Sequence, residues 1–362
     1  MMTKKSMNAC LGIMTGLLLV AGSEQRPAAQ DDTTNFKVNV VLVQLEVAVT
    51  DHAGNYISGL RPEDFAITED KIAEKIATFE EGNKVIRQAT APDATANAAV
   101  SAPPQPKASV NANDASTDLG KIAGSSVFIL FDTSNYMYRG FVFAQDAITD
   151  FVQSLDGSTK VAFYSYSRNL SRAATLTGDR YRIENGVRST VAGDDAALYN
   201  SLLMTVEDAA QLKGRKAIVV FSNGPDNASS VPPEDVADLA ESTGTIIYII
   251  STRQAQSDPV SAAAFARMSK TTGGKAYFAP NWRQEQQAFT SIREDLGHLY
   301  TISYYPQPNQ NRGWRNIQVK LTGQNMQRYH IRTRDGYRLL QPSIPTAPLP
   351  AATEASSTTG MR

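Results

Sequence analysis

From Phe36 to Val49 the segment FKVNVVLVQLEVAV alternates apolar and polar positions and then runs almost continuously apolar, which predicts a well-buried strand. Turn formers follow in TDHAGNYISGL, and EDFAITED and IATFEE predict two more short strands. Residues 36–85 are therefore expected to form a small antiparallel β unit. The next stretch, RQATAPDATANAAVSAPPQPKASVNANDASTD, has no aromatic residue and cannot bury enough surface to offset the entropy of ordering it. We expect a disordered linker over 86–120 and, from the similar composition of QPSIPTAPLPAATEASSTTGMR, a disordered tail over 341–362.

Between these segments the period changes. The apolar run SSVFILF precedes RGFVFAQDAITDFVQSL, where Ala144, Ile148, Phe151, Val152 and Leu155 recur at helical spacing. Strand patterns then appear in KVAFYSYS, in LSRAATLT as an edge strand, and in KAIVVFS, TIIYIIST and KAYFA. Helices are expected from about Ala196 to Leu212, through PPEDVADLAEST with Gly244 as its stop, through SAAAFARMSK, and through QEQQAFTSIREDLG. Continuous apolar strands separated by helices predict an α/β region over 121–297, with a doubly wound, mostly parallel sheet covered on both faces. After Gly297 the segments LYTISYYP, WRNIQVKL and YHIRTRDGYRL return to strand patterns over 298–340. Three short strands alone are marginal, so they are expected to complete the N-terminal β unit, with the α/β region inserted between the two halves. A separate C-terminal hairpin is the alternative.

Composition narrows the picture. The 362 residues suffice for two domains, and 42% hydrophobic content with 13 Phe and 14 Tyr supplies packed cores. With a formal net charge of −1 and no Lys/Arg block, nucleic acid is excluded as a partner class. Lys4 and Lys5 precede an apolar stretch from about Ala9 to Ala21, followed by small residues, which predicts a secretory signal peptide over 1–30 and leaves no stable membrane span after its cleavage. The alternative is an uncleaved N-terminal anchor. The expected location is exported, periplasmic or extracellular. Cys10 lies at the head of the apolar stretch and is the single cysteine, so the remainder has no disulfide, thiolate nucleophile or Cys-ligated metal.

Catalytic motifs are missing from the sequence. His52, His298 and His330 show no metal-pair spacing, and neither a G-x-S-x-G elbow nor a glycine-rich phosphate loop occurs. GGK at Gly273 to Lys275 fits a helix C-cap, and Glu63 with Asp64 fits a solvated turn. In a doubly wound sheet, ligands bind outside the carboxyl ends of the strands. Three segments fall there: FDTSNYM, AGDDAALYNSL and FSNGPDNAS.

Together these loops resemble the von Willebrand factor type A (VWFA) domain, a Rossmann-like fold. The flanking segments GLRPEDFAITED and YTISYYPQPNQNRGWRNIQVKL, leading to RDGYR, resemble exported bacterial VWFA-related proteins of the acidobacterial kind. The resemblance covers about Phe36 to Leu340, linker excepted. It implies a metal-ion-dependent adhesion site for Mg²⁺, built from an Asp-x-Ser-x-Ser loop, a Thr from a second loop and an Asp from a third. Asp132 and Ser134 match the first two positions, but Tyr136 stands at the third, Ala196 replaces the Thr and Asn223 replaces the second Asp. A phenol cannot occupy a serine's place, a methyl has no lone pair and an amide has no charge, so a degenerate site is expected with no metal cofactor. If any metal binds, Asp132, Ser134, Asp194 and Asp195 are the candidate ligands. Asp226 and Asn227 fit a turn capping the next helix.

The expected function is that of an exported, non-catalytic binding module: a VWFA-like domain inserted in a small β-sandwich-like domain, engaging an unknown protein or cell-surface ligand. The partner-binding candidates are Asp132, Ser134, Tyr136, Tyr138, Asp195 and Asn223. Two alternatives remain open, a working divalent-cation-dependent adhesion module and an exported hydrolase with an unrecognised site.

Overall fold

The strand alternation of the central region becomes two cores on opposite faces of one sheet. The computed structural model describes residues 42–82, 84–85, 125–252, 258–323 and 326–339. The expected signal peptide, linker and tail lie outside the described residues. In chain order, the first part supplies β1 (Val43–Thr50), β2 (Phe65–Glu69), β3 (Ile72–Glu74), β4 (Ile76–Glu81) and β5 (Lys84–Val85). The α/β part follows as β6 (Ser125–Asp132), α1 (Phe141–Ser154), β7 (Lys160–Tyr166), β8 (Leu170–Thr177), α2 (Arg180–Arg188), α3 (Leu198–Ala210) and β9 (Arg215–Ser222). It continues with α4 (Pro233–Thr243), β10 (Thr245–Thr252), α5 (Pro259–Thr271), β11 (Ala276–Ala279) and α6 (Trp282–His298). The last part is β12 (Tyr300–Tyr304), β13 (Trp314–Leu321), β14 (His330–Arg332) and β15 (Gly336–Arg338).

The six-stranded sheet has the order β11-β10-β9-β6-β7-β8 and is parallel except for the edge strand β8. Successive side chains of a strand face opposite ways. Accordingly Val127, Ile129 and Phe131 of β6 pack with Ile148 and Phe151 of α1 and Phe289 of α6, whereas Phe128 and Leu130 pack with Leu202 of α3, Val236 of α4 and Phe265 of α5. From β6 the chain winds outward to β7 and β8 and then crosses to β9 on the other side. The strand order thus reverses at β6 and β9, and the crevice beyond their carboxyl ends is where such sheets place ligands.

Helix α2 is an addition to the elements that periodicity predicts. Its nine residues carry two inward apolar side chains, Ile183 and Val187, too few for a strong periodic signal. Asp179 starts it by accepting hydrogen bonds from Tyr181 N and Arg182 N at 3.0 and 3.3 Å. The C-cap at GGK is present: Gly273 follows α5 with φ +82°, and Gly274 N donates to Ser269 O at 2.7 Å. A Cβ on Gly274 would lie 2.0 Å from Ile247 O, so this close approach requires glycine.

Strands from the two ends of the described chain hydrogen-bond with one another. β1 pairs antiparallel with β12 over Val43–Val47 and with β14 over Ala48–Thr50, inside the sheet β14-β1-β12-β4-β5. A second antiparallel sheet, β15-β13-β2-β3, also mixes early and late strands. Between the two sheets lies a third core containing Leu45, Val47, Phe65, Phe79, Tyr300, Tyr304 and Ile317. Among the described residues no helix is long and apolar enough to cross a membrane.

Candidate functional site

Asp132 closes β6 at the reversal point, fully buried. Its Oδ1 accepts from Ser134 N at 2.9 Å, and its Oδ2 accepts from Ser222 Oγ at 2.9 Å and Asn223 N at 3.4 Å. Burial pushes its carboxyl above the ordinary range, against the lowering effect of the hydrogen bonds from Ser134, Ser222 and Asn223. A chain of hydroxyls reaches it from β7: Tyr166 donates to Ser222 Oγ at 3.0 Å, and Ser222 donates onward to Asp132. Ser222 also accepts from Gly224 N at 3.2 Å, where φ is +118°. Ser222 and Tyr166 are thus part of the site, although their residue types alone gave no reason to single them out.

The loop after β6 is fixed by backbone contacts. Thr133 N and Oγ1 both donate to Tyr166 O, at 2.8 and 2.9 Å. Gly193 N donates to Thr133 O at 2.7 Å and Asn135 N to Asp194 O at 3.1 Å, which ties this loop to the one before α3. Residues Asn135–Gly140 form a 3-10 turn with Met137 buried. The backbone of Tyr136 and Tyr138 lies in that turn, and their side chains lie outside the described part of the structure. Phe143, one helical turn into α1, is 63% exposed, while Phe141 packs against the core.

The structure brings Asp132, Ser134, Ser222 and Asn223 together and leaves Asp195 engaged elsewhere. Asp195 is ion-paired with Arg168, which donates Nε at 3.0 Å and makes a second, shorter contact, and it accepts from Asn227 Nδ2 at 3.4 Å. Asp194 meets the first loop through its backbone carbonyl, and its side chain is exposed. Ala196 is fully buried and offers no side-chain oxygen.

Asp226 and Asn227 require a correction. They do not cap the next helix, α4, whose N-cap is Pro232 without any side-chain cap bond. Asp226 Oδ2 instead accepts from Tyr199 N at 3.0 Å and Ser229 Oγ from Asn200 N at 3.0 Å, in the first turn of the preceding helix α3. The N-cap of α3 is Ala197, which has no acceptor of its own, so the orphan amides are satisfied from a different loop. Asn227 Oδ1 braces the same junction by accepting from Ala196 N at 2.8 Å.

Ser134 Oγ and both polar atoms of the Asn223 amide are buried without hydrogen-bond partners. For Mg²⁺, which demands six hard oxygens in near-octahedral array, the donor set falls short. It offers one unpartnered hydroxyl, one neutral amide oxygen and one carboxylate whose two oxygens already accept hydrogen bonds. Among the described residues no group of three or more His, Cys, Asp and Glu side chains could hold a metal. The residues do not fit the ion. Histidine spacing along the chain also concealed one contact: His52 Nδ1 and His330 Nε2 lie 3.0 Å apart, 278 residues apart in sequence.

A mostly parallel six-stranded sheet in the order β11-β10-β9-β6-β7-β8, with helices packed on both faces, has the architecture expected of the von Willebrand factor type A fold. Residues 126–291 match the family model of that name, and this part of the chain is a von Willebrand factor type A domain. Similar solved structures include BatB from Bacteroides thetaiotaomicron, with 16% identity over 48% of this chain and 97% of that one, at a TM-score of 0.40. An aerotolerance-related membrane protein from Bacteroides fragilis has 16% identity over 47% and 99%, with a TM-score of 0.40. A von Willebrand factor type A protein from Catenulispora acidiphila has 11% identity over 59% and 64%, with a TM-score of 0.42. Among curated proteins, none matches this chain.

Proposed function

We propose that this chain is an exported, non-catalytic binding module whose VWA domain engages a protein or surface ligand through the loops around Asp132 without needing Mg²⁺. The observation that carries this reading is the internal satisfaction of the Asp132 carboxylate. Ser134 N, Ser222 Oγ and Asn223 N occupy both of its oxygens, and no second carboxylate stands across from it, since Asn223 supplies an amide. Exposed Phe143 beside this face, and Tyr136 and Tyr138 on the adjoining turn, are residue types that anchor interfaces well. Asp195, held by Arg168, contributes to the rim as a charged pair.

A second reading has one observation in its favour. The unpartnered Ser134 Oγ and Asn223 Oδ1 are two oxygens left without a hydrogen-bond partner, as a residual cation-dependent adhesion site would leave them. Thermal unfolding in Mg²⁺, Mn²⁺ or EDTA separates the two, because a ligand that binds the native state must raise the melting temperature by mass action. Identical melting curves are expected. A rise in Mg²⁺ or Mn²⁺ that Asp132→Ala removes would transfer support to the cation-dependent reading.

A further inference from the structure

The first strand and the late strand β14 meet at a pair of imidazoles. His330 opens β14, and the residue in register with it across the ladder is Thr50, at the end of β1. His52 sits two residues further on, in a tight turn that Thr50 and Tyr56 close with an isolated β-bridge. Asp51 holds that turn by accepting from Ala53 N at 2.8 Å, Asn55 N at 2.9 Å and Asn55 Nδ2 at 3.0 Å. Both histidines are exposed, yet both backbones are fixed. Their rings stand at 80° with centroids 4.8 Å apart, and His52 Nδ1 lies 3.0 Å from His330 Nε2.

We propose that His52 and His330 form a solvent-facing chelate for a divalent transition-metal ion of the imidazole-binding kind, with Cu²⁺ favoured over Ni²⁺ and Zn²⁺. Imidazole nitrogens bind such ions at about 2.0–2.1 Å, so two of them on one ion are about 2.9 Å apart at a right-angled, cis position and about 3.4 Å apart at a tetrahedral one. The separation of 3.0 Å therefore places the two nitrogens within reach of a single ion. A small rotation of the two exposed rings aims both lone pairs at one point. The Irving–Williams order places Cu²⁺ above both Ni²⁺ and Zn²⁺ at a site of imidazole nitrogens. With two protein nitrogens the remaining coordination positions belong to water, and the ion stays exchangeable. Such an ion would join the turn after β1 to β14, tying together parts of the chain 278 residues apart.

The third histidine provides the control. His298 Nδ1 lies 2.6 Å from Glu294 O, and its ring stacks on Tyr56 at 4.9 Å, so it is committed to its own surroundings. The test is calorimetric titration of the full, untagged chain with Cu²⁺, Ni²⁺ and Zn²⁺, with melting temperatures measured in parallel. One ion per chain is expected, with Cu²⁺ bound most tightly. His52→Ala and His330→Ala should each weaken binding at least about tenfold, because the second donor no longer benefits from its high effective concentration. His52→Gln should do the same while keeping a polar side chain in the turn, and His298→Ala should change nothing. Metal should raise the melting temperature of the unaltered chain and of His298→Ala alone. An intact chain that binds none of the three ions, leaving the 3.0 Å contact as a shared proton, overturns the proposal, and so does binding that survives the loss of either histidine.

Discussion

Arg332 of β14 donates to both oxygens of Asp295 on α6, at 2.5 and 2.6 Å, so a half-buried side chain of the antiparallel sheets is the partner of a buried carboxylate on the α/β part. Asp295 is fully buried and also accepts from Tyr56 at 2.5 Å and Tyr248 at 2.6 Å, with Lys275 Nζ 3.5 Å away. An ion pair at such a seam contributes little net stability against an apolar replacement, but breaking it leaves a buried charge alone.

Asp295→Asn is therefore expected to destabilise by about 3 kcal/mol, toward the lower end of the range for buried pairs because Arg332 keeps 21% of its side chain in water. Denaturant unfolding measures the loss. Burial alone would raise the Asp295 carboxyl, but the Arg332 and Lys275 charges and the two tyrosine hydroxyls outweigh it and hold it below the ordinary range. A depressed native pKa contributes stability above the unfolded value of about 3.9, and that contribution disappears as pH falls through the native value. The Asn variant should lose this acid-side dependence.

Glu46 and Glu241 act in the opposite direction. Burial pushes each carboxyl from 4.5 up to about 7, despite hydrogen bonds to Glu46 from Thr301 at 2.7 Å and Gln44 at 2.6 Å. Between these two values the native state holds a proton that the unfolded chain has released. Their stabilising effect is therefore complete below the unfolded value and declines as pH rises through 7, by at most about 1.4 kcal/mol per pH unit for each group. Unfolding free energies between about pH 5 and about pH 8 should fall for the unaltered chain and fall less steeply for Glu46→Gln.

The borrowed cap on α3 gives a third expectation. Asp226→Ala removes the acceptor for Tyr199 N, and Ala197 offers no replacement. A loss of about 1 kcal/mol is expected by denaturant unfolding, as for other N-cap deletions. If stability is unchanged, solvent must satisfy the amide.

Restoring the missing donors should create the ion site. Tyr136→Ser, Ala196→Thr and Asn223→Asp combined supply two hydroxyls and a second carboxylate, and the triple variant is expected to melt higher in Mg²⁺ than in EDTA. At one hundred times the dissociation constant the gain would be about 2.7 kcal/mol. In EDTA the variant should melt below the unaltered chain, because two carboxylates then face each other across a buried space. Melting curves that do not respond to Mg²⁺ would show that the loops, and not only their ligands, have departed from an ion-binding geometry.

The sheet was legible because each central strand alternates between two cores. Val127, Ile129 and Phe131 face one, Phe128 and Leu130 the other, and both sides had to be apolar. Helix α2 was not legible, since two apolar residues in nine leave no period to read and Asp179 alone signals its start. At the site, the residue types at Asp132, Ser134, Ala196 and Asn223 were legible with their donor chemistry. The relay from Tyr166 through Ser222 was not, because it joins the ends of three different strands.

The sequence alone determined the α/β class, the place of the loops at the carboxyl ends of the strands, and which donor groups those loops carry, because periodicity and side-chain chemistry are local properties. Only the tertiary structure decided that β1 divides its length between β12 and β14, that Asp226 caps a helix preceding it, that Asp195 belongs to Arg168, and that His52 meets His330. Each of these is a pairing between groups distant in the chain. Such pairings depend on how the chain closes in space, and no local pattern encodes that closure.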